Sequence, residues 1–202
     1  MTYIRGDAAQ IDAWEQLGNP GWNWATLLPY YKKSEQYKIP SETQIAAGAT
    51  FQSQNHGFNG PVHVGYISGL QNGTFSPAVI QTWEGLSLPH NPDLNSGNVR
   101  GFSMGPQTLE DNLRWDSSRA YLLPVLQRQN LKMVRGTAKR IIWKQKCKRS
   151  PPRSAGLVAS GVEYLTQDGR AEVVEANREV VVSAGAVRTP LLLEGSGVGN
   201  PR

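Results

Sequence analysis

The sequence has little of what marks several common protein classes. It has a single cysteine, Cys147, in 202 residues, so no disulfide can form within the chain and cysteine pairing gives no information about its compartment. No apolar run approaches the roughly eighteen residues that a membrane-spanning helix needs. The first residues, MTYIRGDAAQ, have no apolar signal core. These features predict no membrane span, and either a cytosolic protein or a chain whose true N-terminus lies further upstream.

Histidines are also scarce. The three of them, His56, His63 and His90, stand in neither an HxH nor an HExxH spacing, so the sequence predicts no metal site. His56 falls in the loop-like segment NHGFNG, and His63 is predicted to be a surface histidine on a short strand. The triplet Asn72-Gly73-Thr74 fits a glycosylation acceptor, although such triplets often arise by chance.

Acidic residues are missing from one long stretch. The net charge is +5, yet residues 117–162 contain eleven Lys and Arg and no Asp or Glu. The densest part is 139–153, KRIIWKQKCKRSPPR. Its Ser-Pro-Pro segment between strand-like residues favours a solvated hairpin loop. A patch that binds nucleic acid or another polyanion is the alternative left open.

The chain is rich in loop-forming and aromatic residues, with 21 Gly, 13 Pro, six Trp and seven Tyr. This composition is typical of an ordered, loop-rich globular protein. Apolar spacing predicts helices over 7–17, from Trp24 with Asn23 as N-cap, and over 75–83 with Ser76 as N-cap and Pro77 at the first helical position. Pro29 should kink the second helix or confine it to its first turn. A short helix is expected over 116–124, ending at Pro124.

Alternating and β-branched segments predict the strands. We expect strands over 62–64, 102–109, 131–134, 141–143, 156–165 and 172–174, with a hairpin turn at Gln167-Asp168-Gly169. The run Arg178–Ser183, REVVVS, is typical of a strand that is buried on both faces.

A strand-to-helix junction is predicted where that run meets SAGAVRTPLLLEGSGVG, residues 183–199. Thr189 should cap the helix and Pro190 should be its first residue. Small residues at 183–186 allow a close approach to the backbone. The approaching group is either a cofactor at the carboxyl end of the strand or the helix itself, packed closely on a sheet.

The segment 185–199, GAVRTPLLLEGSGVG, resembles the second signature of the glucose–methanol–choline (GMC) oxidoreductases. MTYIRG, residues 1–6, is similar to the tail of the family's first signature. Three further segments follow in the family's order: 18–35, 57–65 and 114–124. The residues of these segments are most similar to those of the fungal sugar oxidases and dehydrogenases of this family.

This resemblance implies a fold and a chemistry. The fold would be mixed, between α/β and α+β: an incomplete Rossmann-like FAD-binding domain plus part of an α+β substrate domain. Residues 1–40 would be a remnant of the FAD domain or its lid, 41–112 part of the substrate domain, and 113–202 part of the FAD domain. The cofactor would be FAD and the partner a small alcohol or sugar, with no nucleic acid and no membrane. The oligomeric state and the compartment stay open, although an extracellular full-length protein is compatible with the family.

The resemblance also implies which residues contact FAD. The family's dinucleotide-binding GxGxxG fingerprint is expected before Met1. Its active-site histidine is expected beyond Arg202, so none of the predicted residues is catalytic. The interpretation is a truncated oxidoreductase of CH–OH groups that is inactive alone, or else a non-catalytic remnant or binding module. The predicted FAD contacts are Thr2, Tyr3, Thr137, Ala138, Ala184, Gly185 and Ala186.

Overall fold

A computed structural model describes residues 1–70, 75–144 and 157–199. The triplet at Asn72, Cys147 and most of the basic stretch 139–153 lie outside these residues, as do the predictions made for them. The chain divides into two compact units, Met1–Leu131 and Lys132–Arg202. The domain boundaries implied by the family resemblance, after residues 40 and 112, stay predictions.

Three helices of the first unit begin at side chains that accept a backbone N–H, as the capping rule expects. Asp7 accepts from Ala9, Asn23 accepts from Thr26, and Ser41 forms a capping box with Gln44. The cap predicted at Asn23 is therefore present. The helices are α1 Ala8–Gln16, α2 Trp24–Ser34, α3 Glu42–Ala46, α4 Phe75–Gly85 and, in the second unit, α5 Gly185–Gly195.

Prolines end fewer helices than the sequence predicts. Helix α2 continues for five residues beyond Pro29 to Ser34, because a proline removes one backbone hydrogen bond and leaves the neighbouring ones in place. Helix α4 already begins at Phe75, so Ser76 and Pro77 lie inside its first turn. The segment predicted over 116–124 is a π-helical turn, Ser118–Leu122, followed by a 3-10 turn, Leu123–Val125.

Short strands organise the first unit. Strand β1, Glu35–Tyr37, pairs in parallel with β2, Val62–Val64, and β3, Leu109–Glu110, pairs with β4, Leu113–Arg114. The strand predicted over 102–109 is reduced to isolated bridges before Leu109. A core of four buried residues surrounds the β1–β2 pair: Tyr37, Ala49, Val64 and Tyr66.

An antiparallel meander forms the second unit. Strands β5, Gly136–Trp143, β6, Ala159–Thr166, and β7, Ala171–Glu175, lie in the order β5–β6–β7. The predicted turn at 167–169 joins β6 to β7, and Gly169 has φ +82°, which favours glycine. Helix α5 is tied to β5 because the Ser196 Oγ accepts from the Ile141 N–H at 2.8 Å.

Two predicted strands are absent from the described residues. Residues 131–134 are irregular, and so are 178–183, where Val181 has 76% of its surface exposed. A strand needs a neighbour to take its backbone hydrogen bonds, and no described segment pairs with these runs. The prediction of a strand buried on both faces is therefore wrong for this structure.

The predicted start of the last helix is also wrong. Helix α5 begins at Gly185 rather than at Pro190, so Thr189 is not its N-cap, and both residues lie in its interior. The Thr189 Oγ1 reaches back and accepts from the Ala184 N–H at 3.1 Å. The Thr189 hydroxyl, one turn into the helix, therefore binds Ala184, the residue that precedes the helix.

Candidate functional site

Four charged side chains form a buried chain in the first unit. The Arg5 Nη2 donates to the Glu35 Oε2 at 2.7 Å. The other oxygen of Glu35 lies 2.9 Å from the His56 Nδ1, and the His56 Nε2 lies 3.0 Å from the Asp93 Oδ2. None of the four side chains has more than 3% of its surface exposed. Segments far apart in sequence are thus joined by a continuous set of ion pairs.

Both ring nitrogens of His56 face carboxylate oxygens, which decides its protonation state. A neutral imidazole has one N–H, so one nitrogen would direct its lone pair at a carboxylate. Only the imidazolium donates to both Glu35 and Asp93. Desolvation of the buried ring lowers the pKa of His56, but the hydrogen bonds to Asp93 and Glu35 outweigh it and raise this pKa above its ordinary value.

Asn95 connects this chain to the N-terminal segment. Its Oδ1 accepts from the Arg5 N–H at 2.9 Å, and its Nδ2 donates to the Tyr3 carbonyl at 3.3 Å. Its own N–H donates to the Asp93 Oδ1 at 2.8 Å. The guanidinium of Arg5 also donates to the carbonyls of Asn95 and Asn55. We call this set, Arg5, Glu35, His56, Asp93 and Asn95, the buried polar network.

Sequence reasoning missed this network and assigned His56 to a loop. One local signal could have indicated it, since two glycines follow in the His-Gly-x-x-Gly pattern. A Cβ on Gly57 would lie 1.7 Å from the Lys32 carbonyl oxygen, and one on Gly60 would lie 2.2 Å from the Ser34 carbonyl carbon. Such glycines mark a loop held tightly against another element, here the end of α2 and the start of β1.

The first two predicted FAD contacts lie beside the network. Thr2 is exposed and forms a bridge with Gln107, and the Tyr3 N–H donates to the Pro106 carbonyl at 2.9 Å. The Tyr3 ring packs against the core around β1 and β2. Desolvation, followed by the nearby charge of Glu35, raises the pKa of the Tyr3 phenol. The segment therefore has an exposed residue next to a firmly anchored one.

Thr137 and Ala138 lie on an outer strand of the second unit. They pair with Leu165 and Tyr164 on one side of β5, and β5 is the edge of the sheet. Both residues are exposed, and within the described residues no strand covers their other side. Unpaired edge amides and carbonyls can bind the polar edge of a planar base.

Ala184, Gly185 and Ala186 lie at the N-terminus of α5. All three are exposed, and Ala184 gives the helix no side-chain cap. The first N–H groups of a helix lack internal partners and favour negatively charged groups. A Cβ on Gly185 would meet no atom within 4 Å, so the approach to these amides is open. The Ala184 N–H already donates to the Thr189 Oγ1, but the small side chains and the next amides of the helix fit the sugar and phosphate parts of a dinucleotide.

His63, another histidine of the described part, has structural partners. The His63 Nδ1 lies 2.8 Å from the Glu110 Oε2, and its ring stacks on Trp115 with centroids 3.9 Å apart. His63 is thus less exposed than the sequence predicts. Among the described residues no three His, Cys, Asp or Glu side chains could hold a metal ion together, and no described helix is long and apolar enough to span a bilayer.

The sequence matches a family model described as GMC oxidoreductase over residues 1–202. The chain belongs to the GMC oxidoreductase family. It is 64% identical over 191 residues to the glucose oxidase-like protein fsoC of Humicola fuscoatra, a match that covers 94% of this chain and 32% of the relative. It is 36% identical over 199 residues to an oxygen-dependent choline dehydrogenase of Rhizobium johnstonii, with 98% and 32% covered.

A solved structure agrees with the family. An FAD-dependent oxidoreductase of Chaetomium thermophilum superposes with a TM-score of 0.83 at 30% identity, covering 98% of this chain and 33% of that one. The predicted family and mixed fold class are confirmed, and with them FAD as the cofactor of this GMC family. The chain spans about a third of the length of these relatives.

Proposed function

We propose that this GMC chain is part of an FAD-dependent oxidoreductase that oxidises the CH–OH group of a small alcohol or sugar. The observation that carries the proposal is the family match over the whole chain. The relatives named a glucose oxidase-like protein and a choline dehydrogenase support a small hydroxyl-bearing substrate.

The seven predicted contacts would each hold part of the FAD. The free edge of β5 at Thr137 and Ala138 would bind the adenine through backbone groups. The first amides of α5 would bind a sugar or phosphate oxygen, and Thr2 and Tyr3 would lie near the flavin. Bound FAD supplies the acceptor for the hydride of the substrate, and these residues bind and orient it.

The contact at α5 can be tested with a substitution that leaves the helix intact. Ala186→Leu adds bulk at an exposed helical position, and leucine is a good helix former. In the full-length flavoprotein we expect FAD binding to weaken about tenfold, which is about 1.4 kcal/mol. The free energy of unfolding measured without FAD should stay the same. Ala171→Leu, on exposed β7, is the control and should bind FAD normally. Equal FAD affinity in both variants would remove Ala184–Ala186 from the site.

The 202 residues alone should be inactive. None of the predicted contacts can act as a general base for the hydroxyl proton, and His56, which is held between two carboxylates, has no free nitrogen for that role. We expect weak FAD binding and no flavin-dependent dye reduction by this chain in isolation. Turnover of any alcohol or sugar by the purified 202 residues would refute this expectation.

A polyanion-binding role for 139–153 has less support. Lys139 and Arg140 both contact the carboxylate of Glu163, at 2.7 and 2.6 Å. Two of the charges that define the basic stretch are thus paired within the sheet. A polyanion site would show binding that falls steeply with salt and depends on residues 139–153.

A further inference from the structure

The buried polar network is linked to the proposed flavin-contact segment by an unbroken path of hydrogen bonds. The path runs from the Tyr3 carbonyl to the Asn95 side chain, from the Asn95 N–H to Asp93, and from Asp93 to His56. A second path joins the Arg5 backbone to Asn95 and the Arg5 guanidinium to Glu35. Residues 3–5 are therefore held by side chains that come from three other segments.

The charges of the network balance in one protonation state. With His56 as imidazolium, two positive groups face two carboxylates. With neutral His56, the same buried group has one uncompensated negative charge, and one ring nitrogen repels its carboxylate. Removing a partner from a buried ion pair is strongly destabilising, because the remaining charge has no solvent. When His56 is doubly protonated, the charges of the network therefore balance and both ring nitrogens donate to a carboxylate.

We propose that Arg5, Glu35, His56 and Asp93 are positioning residues that hold the Thr2–Tyr3 segment in place for FAD, and that doubly protonated His56 is required for this. The inference rests on the proposed function, since it takes Thr2 and Tyr3 as flavin contacts. None of the four residues needs to touch FAD or the substrate. They act through Asn95 and through the Arg5 backbone.

The surroundings of His56 set the direction of its pH dependence. Glu35 and Asp93 face its two nitrogens, Arg5 faces it across Glu35, and the Tyr37 ring stacks on it with centroids 3.8 Å apart. A group whose folded-state pKa is raised contributes fully below its unfolded value, about 6.5, and loses the contribution as pH rises through the folded-state pKa. Segment 2–5 should therefore loosen on the alkaline side.

The experiment compares three forms of the full-length flavoprotein from about pH 6 to about pH 9: the parent, His56→Gln and Phe102→Leu. Glutamine keeps a polar side chain but has no positive charge, so it cannot replace an imidazolium that donates to both carboxylates. Phe102→Leu is the control, because Phe102 is buried against Trp83 and His90 and its side chain has no hydrogen bond to the network. One readout is amide hydrogen exchange of residues 2–5, corrected for its intrinsic pH dependence. The other is the dissociation constant of FAD.

The parent should show about tenfold faster exchange at residues 3–5 and weaker FAD binding as pH rises, with a common midpoint. His56→Gln should show both effects already at low pH and lose the midpoint, whereas Phe102→Leu should keep it despite lower stability. Unchanged exchange and affinity in His56→Gln would overturn the positioning role.

A Thr2→Val variant separates this inference from the proposed site. If Thr2→Val weakens FAD binding while His56→Gln does not, the flavin contact stands and the positioning role fails. If His56→Gln speeds exchange while neither variant changes FAD affinity, the flavin contact at Thr2 fails and the inference fails with it. Weaker FAD binding in both variants supports both the flavin contact at Thr2 and the positioning role of His56.

Discussion

Among the glycines of the described residues, Gly57 has the least room for a Cβ, so Gly57→Ala is a sharp test of how the His56 loop is held. The added Cβ would lie 1.7 Å from the Lys32 carbonyl oxygen and 2.6 Å from its carbon. Both atoms belong to the backbone of α2, so no side-chain rotation relieves the overlap. The loop must move away from the helix by more than an ångström.

The cost of that movement follows from the hydrogen bonds that it breaks. The Gly57 N–H donates to the Glu35 Oε2 at 2.9 Å, and the Gly57 carbonyl accepts from the Tyr37 N–H at 2.8 Å. Each buried group left without a partner costs about 1–3 kcal/mol. With both bonds strained and His56 displaced, we expect unfolding to become easier by about 3–5 kcal/mol.

Urea unfolding of the full-length polypeptide, followed by tryptophan fluorescence, measures this loss. Gly69→Ala is the matched control, because a Cβ at Gly69 meets no heavy atom within 4 Å, and its effect should stay within about 0.5 kcal/mol. If Gly57→Ala were as stable as Gly69→Ala, the close packing of this loop on α2 would be refuted, and with it the anchoring of His56.

Two further predictions concern the remaining contacts. Desolvation raises the pKa of Asp93, but hydrogen bonds from His56 and Asn55 outweigh it and lower this pKa below its ordinary value, so its contribution to stability should be lost as pH falls through the folded-state pKa. In urea unfolding midpoints measured over a series of pH values, Asp93→Asn should reduce this loss of stability at acidic pH. An unchanged loss would contradict the role given to Asp93. Ser196→Ala removes the acceptor of the Ile141 N–H and should destabilise the second unit by about 1–2 kcal/mol, whereas Ser183→Ala, at an exposed position, should not.

The sequence by itself determined the features that depend on neighbouring residues. Asn23 caps α2 because its side chain reaches an amide three residues on, and Gly169 closes the β6–β7 turn because it adopts positive φ. The alternation of Val62 and Val64 is enough to indicate β2. The signature at 185–199 indicated the family, which the match over the whole chain confirms.

Only the tertiary structure decided the features that depend on distant residues. Nothing near His56 in sequence reveals Glu35 or Asp93, 21 and 37 residues away, so its protonated, buried state could not be derived from local pattern. The valines of 178–183 have the composition of a strand, but a strand exists only where another backbone pairs with it. Local propensity is fixed by adjacent residues, whereas pairing and charge balance are fixed by whichever segments the fold brings together.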